Sequence, residues 1–160
     1  MNVNFSNTMK KLILILSIVI FCLGLEAQTG EQIFDSTLAK SLGADEYGMK
    51  AYVFVLLIPG TNKLDPGPVR DSIFRGHLKN IGRLAESGKL VIAGPLGDNE
   101  KSYRGIFILN TKTIGEAKEL LQTDPAIKAK VLDAELYEWY GSAAISEYLK
   151  IQRKITRKQF

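Results

Sequence analysis

The sequence predicts an α+β domain of ferredoxin-like β-α-β-β-α-β order, an antiparallel four-stranded sheet with two helices on one face. Three observations predict it. Short runs of β-branched, aliphatic and aromatic residues, "AYVFVLLI", "KLVIAG", "GIFIL" and "AELYEWY", recur with turn signals between them. Helical periodicity fills the interval after the first run, and a capping-box spacing opens a second helix after the third. The chain between its two ends amounts to one small domain, with no repeat and no low-complexity stretch to divide it.

Residues 1–27 stand outside that domain. "MKKLILILSIVIFCLGLEAQ" joins two lysines to an apolar run from Leu12 to Leu23 and a small residue at Ala27, a secretory signal pattern with cleavage expected after Ala27. The run is shorter than the roughly 20 apolar residues of a membrane span, and no basic stop follows it. The exported chain is therefore expected in the periplasm or the medium, without a stable membrane span. Anchoring as a lipoprotein through Cys22 ranks second, because Phe21 stands where a small residue is wanted. Cleavage removes the only cysteine, which leaves neither a disulfide nor thiol chemistry. It also removes Lys10, Lys11 and Glu26, so the formal net charge of +4 falls by one, a balance too even to imply nucleic-acid binding.

Residues 28–49 read as an N-terminal linker with a short helix near Ile33 to Ser41. The first strand, 51–58, stops at Pro59 and Gly60, and the prolines and glycines of "PGTNKLDPGP" exclude regular structure from the loop that follows. From Val69 to Ser87 the positions Ile73, His77, Ile81 and Leu84 recur at spacings of four, four and three, one face of a helix that Gly88 caps. "KLVIAG", the turn region "GDNEKSYRG" and "GIFIL" supply the middle strands. Thr113 and Glu116 have the capping-box spacing, so Thr113 opens a second helix that runs to about Gln122. "DPAIKAKV" is a short connection, and "AELYEWY" is the last strand of a domain spanning 50–142. Residues 143–160 form a basic tail, expected to be helical, in which Lys150, Arg153, Lys154, Arg157 and Lys158 suit a solvated helix end better than an anionic surface contact.

An antiparallel sheet of this kind normally has one apolar and one polar face. "YVFVLLI", "LVIA" and "IFIL" are apolar on both, so the face away from the helices needs a cover. A homodimer packed sheet to sheet is the simplest cover, and the segments flanking the domain are the alternative.

The topology brings four connections to one end of the sheet. They are the start of the first helix, the loop with Lys63 and Asp65, the turn with Gly94, Pro95, Asp98 and Arg104, and the end of the second helix at Thr123 and Asp124. His77, the only histidine, sits in the second turn of its helix, on the side facing the sheet and close under this rim. A partly buried imidazole needs a hydrogen-bond partner, and Asp124 is the carboxylate the topology places best. A carboxylate on one ring nitrogen leaves the other as a base or acid near neutral pH. The competing reading is structural: a satisfied core histidine, with Asp-Pro as the N-cap and first residue of a short helical turn. Gly94-Pro95 is either a turn or a place where a ligand approaches bare backbone. "AGPLGDN" lacks the spacing of a dinucleotide fingerprint, one histidine without a mature cysteine argues against a zinc site, and no nucleophile-elbow pattern supports a triad through Ser72 or Ser102. In the last strand Tyr137 and Trp139 share one face, and Glu138 on the other is a reserve acid or base.

From Ala51 to Ser142 the chain resembles the YCII-related (YciI-like) domain family. The resemblance is carried by "GHLKNIGRLAESGKL" with its histidine, "VIAGPLGDN", "RGIFIL", "TIGEAKELLQTDPAIKAKVL" with its Asp-Pro, and "ELYEWYGSAA"; the closing "WYGSAA" is similar to exported bacterial relatives. It implies a ferredoxin-like dimer of the dimeric α+β barrel type, similarity to muconolactone-isomerase-like enzymes, and a His-Asp active site falling on His77 and Asp124. It implies no cofactor. A signal pattern and the long "PGTNKLDPGP" loop depart from cytoplasmic members, and the dehalogenase activity known in the family is not carried over. The resulting expectation is a cofactor-independent enzyme acting on a small organic acid, lactone or related ring compound. His77 and Asp124 would be catalytic, Gly94, Pro95, Asp98 and Arg104 would bind the small-molecule ligand, and there would be no metal. The alternative is a non-catalytic ligand-binding or dimeric interaction module of the cell envelope.

Overall fold

A computed structural model describes residues 33–157. The signal pattern at 1–27, Cys22 within it, and Lys158 of the basic tail lie outside the described residues. Helix α1 (Ser36–Leu42) begins at an N-cap, Asp35, whose carboxylate accepts the Leu38 amide. That cap starts the helix three residues later than the apolar pair Ile33-Phe34 suggests.

The sheet consists of β1 (Met49–Pro59), β2 (Leu90–Pro95), β3 (Gly105–Leu109) and β4 (Leu132–Ser142), in the order β2-β3-β1-β4. Every neighbouring pair is antiparallel. This is the ferredoxin-like α+β arrangement. β1 and β4 are longer than composition suggests because they pair with each other over their whole length, from Met49 opposite Ser142 to Pro59 opposite Leu132. The pairing draws polar and small residues such as Lys50, Asp133 and Gly141 into the ladder, where tertiary context overrides local propensity.

Helix α2 (Pro68–Glu86) starts with a proline in its first turn, where the missing amide costs nothing. It ends at Ser87 with Gly88 at φ +70°. The Gly88 and Lys89 amides donate to the carbonyls of Ala85 and Leu84, a Schellman closure that needs a left-handed residue at Gly88. Helix α3 (Ile114–Leu121) opens at Thr113, whose hydroxyl accepts the Glu116 amide, while the Glu116 carboxylate accepts the Lys112 amide one residue earlier than in the usual capping box. The "DPAIKAKV" connection contains a one-turn helix, α4 (Pro125–Lys128), capped by Asp124. After β4 come a 3₁₀ turn (Ala143–Glu147) and α5 (Tyr148–Ile155).

The side chains alternate as the pleat requires. Val53, Val55 and Leu57 of β1 and Phe107 and Leu109 of β3 face α2 and α3, packing with Leu84 and Leu121 in the main core. The other face carries a second cluster, Tyr52, Val91 and Ile108. A bulge between Leu90 and Ile92 lets both Val91 and Ile92 contribute to that cluster. Ile145 of the 3₁₀ turn packs on it, the Tyr52 hydroxyl donates to the Ser142 carbonyl at 3.0 Å, and the Ala143 amide donates to the Gly48 carbonyl. The flanking segment thus covers part of the second face, while Tyr137 and Trp139 remain 51% and 38% exposed. The domain limits drawn at 50 and 142 fall inside one compact unit that begins at Asp35. Composition marks the apolar strands, whereas the segments that close over them are polar enough to read as linker and tail. Among the described residues no helix is long and apolar enough to cross a membrane.

Candidate active site

His77 is buried, 8% exposed, on the sheet-facing side of α2. Its Nδ1 lies 2.7 Å from Oδ2 of Asp124, which is 1% exposed. The other carboxylate oxygen, Oδ1, accepts the Ala126 amide at 2.8 Å and caps α4. One aspartate therefore starts a helix and orients an imidazole, each with a separate oxygen. α4 can come this close to α2 because residue 76 is glycine: a Cβ there would stand 2.9 Å from Cγ of Pro125. A second tie holds the same junction. Arg83 Nη2 donates to Oδ1 of buried Asn80 at 2.7 Å and to the Thr123 hydroxyl at 2.8 Å, joining α2 to the residue just before Asp124.

Two aromatic rings hold the imidazole. Phe107 stacks on it at 6.0 Å and 24°, and Phe74 meets it edge-on at 6.1 Å and 80°. With Asp124 accepting from Nδ1–H, the neutral ring carries its lone pair on Nε2. Among the described residues Nε2 has no hydrogen-bond partner, and His77 lines a cavity of about 550 Å³. Burial pushes the Asp124 carboxyl upward. The hydrogen bond and charge of His77 and the amides of Ala126 and Ile127 outweigh it, holding the carboxyl below its ordinary range. The pair can take up a proton at Nε2 and neutralise the resulting imidazolium.

The cavity is lined by Gly94, Pro95 and Arg104 as well as by His77, and by Lys63 from the loop after β1. Asp124 stands behind His77 and does not itself line the cavity. Asp98 is a correction to the sequence reading: it is exposed and outside the cavity. The turn it belongs to closes on itself, with the Asn99 side chain bonded to Gly97 and Tyr103 and the Leu96 amide to Arg104. Asp65 and Glu138 also lie outside the cavity, and both are exposed. Tyr137 and Trp139 pack beside Phe54 and Tyr52 on the opposite face of the sheet.

Sequence reasoning missed Arg70 and Phe74, which line the cavity beside His77. The spacing 70, 74, 77 and 81 along one helical face was the signal available for them. It also missed Asn62, whose amide and side chain donate to the carbonyls of Lys130 and Ala129 and strap the first loop across the start of β4. Among the described residues no group of three or more His, Cys, Asp or Glu side chains gathers as a metal site.

No family model and no curated protein matches the chain. Among solved structures it is similar to the 5-chloro-2-hydroxyhydroquinone dehydrochlorinase TftG from Burkholderia phenoliruptrix, in complex with 2,5-dihydroxybenzoquinone. The identity is 22%, the match covers 54% of this chain and 92% of that one, and the TM-score is 0.38. No statement about chemistry follows from a likeness of that degree.

Proposed function

We propose that this chain is a YciI-like, cofactor-independent enzyme in which His77 moves a proton on a small organic acid, lactone or related ring compound. The observation that carries this reading is a buried imidazole tied at Nδ1 to a buried carboxylate while Nε2 is left to an apolar cavity. Nε2 accepts a proton from a carbon or hydroxyl of the substrate, and Asp124 stabilises the imidazolium formed. The proton is then returned to a different atom of the substrate or to a leaving group. Arg104 and the backbone at Gly94 and Pro95 border the ligand. We further infer that the protein is exported, on the pattern at 1–27, and that two copies pair through the open sheet face around Tyr137 and Trp139.

The test is proton-deuterium exchange, followed by NMR, on a panel of small acids and lactones with acidic C–H bonds. A substrate that exchanges with the wild type should do so about 10²–10⁴-fold more slowly with His77→Gln. Asp124→Asn should be similarly slow: with Oδ1 kept on the Ala126 amide, the new NH₂ faces Nδ1 and forces the tautomer whose Nε2 is already protonated. Equal rates in all three proteins would sink the reading. The role of Asp124 as the cap of α4 favours a second reading, a binding module with a structural His-Asp pair; ligand binding without exchange by any member of the panel would establish it.

A further inference from the structure

We propose that the cavity takes its ligand as an anion, a single planar ring bearing a carboxylate or phenolate, with the charged group held by Arg70, Arg104 and Lys63. This rests on the preceding reading of the cavity as the functional site, and it selects anionic rings over the neutral lactones that reading leaves open.

Three cationic side chains line the cavity: Lys63 from the loop after β1, Arg70 from the first turn of α2, and Arg104 from the residue before β3. Among the described residues no carboxylate lines it, and none of the three cations has a carboxylate partner. The rest of the wall is mostly aliphatic and aromatic, including Leu57, Ile81, Phe107 and Leu132. Three like charges around an apolar hollow repel one another unless an anion enters, and the attraction to that anion strengthens as water leaves. A neutral ligand gains nothing from them.

Arg70 sets the orientation. It is half-buried, with its guanidinium carbon 5.3 Å above the Phe74 ring. The other neighbour of that ring is the His77 imidazole, at 6.1 Å. Guanidinium and imidazole thus flank one phenylalanine along the same wall of α2. A ligand with its anionic group on the guanidinium fork therefore lies along this wall with its ring toward His77.

The experiment titrates the purified protein with salicylate and with its neutral counterpart salicylamide, at low and at high salt. Salicylate is expected to bind at least about tenfold more tightly than salicylamide at low salt and to lose most of that advantage at high salt. Arg70→Gln and Arg104→Gln should each weaken salicylate about tenfold and shrink its advantage over salicylamide, while an unchanged urea midpoint shows that the variants are folded. Equal binding of the two probes, no binding of salicylate, or salicylate affinity untouched in both variants overturns the proposal. His77→Gln separates the two readings, since it should keep anion binding while losing proton exchange. Charge-selective binding by a wild type that exchanges nothing removes the enzyme and leaves this inference. Exchange on neutral lactones alone does the reverse.

Discussion

The two faces of the sheet are built from the same kinds of residue and end in different states. On the helix side Val53, Val55 and Leu109 are fully covered, and the layer is tight enough that a glycine, Gly76, marks where α4 meets α2. On the other side Tyr52, Val91 and Ile108 are buried under the 3₁₀ turn, yet Tyr137 and Trp139 stay open. The difference separates two tasks. The helix-side layer desolvates a histidine and an aspartate and makes their mutual bond worth more than it is in water, while the half-covered layer leaves aromatic surface exposed, where we propose that a second copy pairs.

Truncation on each face should break the symmetry most clearly. Leu109→Ala is expected to cost about 2–5 kcal/mol in urea unfolding, and Trp139→Ala only about 1 kcal/mol in an isolated protomer. A Trp139→Ala cost that rises with protein concentration would show that a second copy covers that face.

Next in size is the His-Asp pair. Asp124→Ala removes the partner of His77 and the cap of α4 together, and a loss of about 2–4 kcal/mol at neutral pH is expected. The pH dependence has a definite sign. The folded-state carboxyl lies below its ordinary value, so its contribution is complete above the unfolded carboxylate range and disappears as pH falls through the lower folded value. Acid unfolding of Asp124→Asn should lack that component; identical pH profiles for the two proteins would contradict the assignment.

Gly76→Ala sharpens the comparison further. Alanine raises helix propensity by up to about 1 kcal/mol, but its Cβ meets the Pro125 ring, and overpacking of this kind costs about 1–3 kcal/mol. Net destabilisation is expected, with a weakened His77 Nδ1–H signal in NMR. The smallest effect belongs to the exposed Lys150–Glu147 pair at the base of α5. Glu147→Gln should change stability by less than about 0.5 kcal/mol, and less still in high salt.

Much of this was legible in the residues. Runs of apolar β-branched and aromatic residues between turn signals located the four strands, the 3.6 period located α2, and Gly88 and Thr113 marked helix ends because their chemistry is local. The meeting of His77 and Asp124, 47 positions apart, could be anticipated from the order of the elements, since that order alone brings their connections to one rim. The missed features depend on register or on exclusion. Asp98 shares the rim in topology but is exposed and does not line the cavity. Arg70 shares the helical face of Phe74, His77 and Ile81, but a cation in the first turn of a helix carries no apolar signature to mark it as part of a cavity wall. Cover by a flanking segment was one of two readings of the second face, and residues 143–147, which carry no strand or core signature, supply part of it over Tyr52.

By itself the sequence determined the class of fold, the order of its elements, and the helix ends, since propensity, periodicity and capping act over a few neighbouring residues. Tertiary structure alone decided which oxygen of Asp124 serves the helix and which serves His77, which cations surround the cavity, and how far the second face is covered. Those outcomes rest on distances between segments remote in the chain, and such distances are set only when the sheet and the helices on its face pack together.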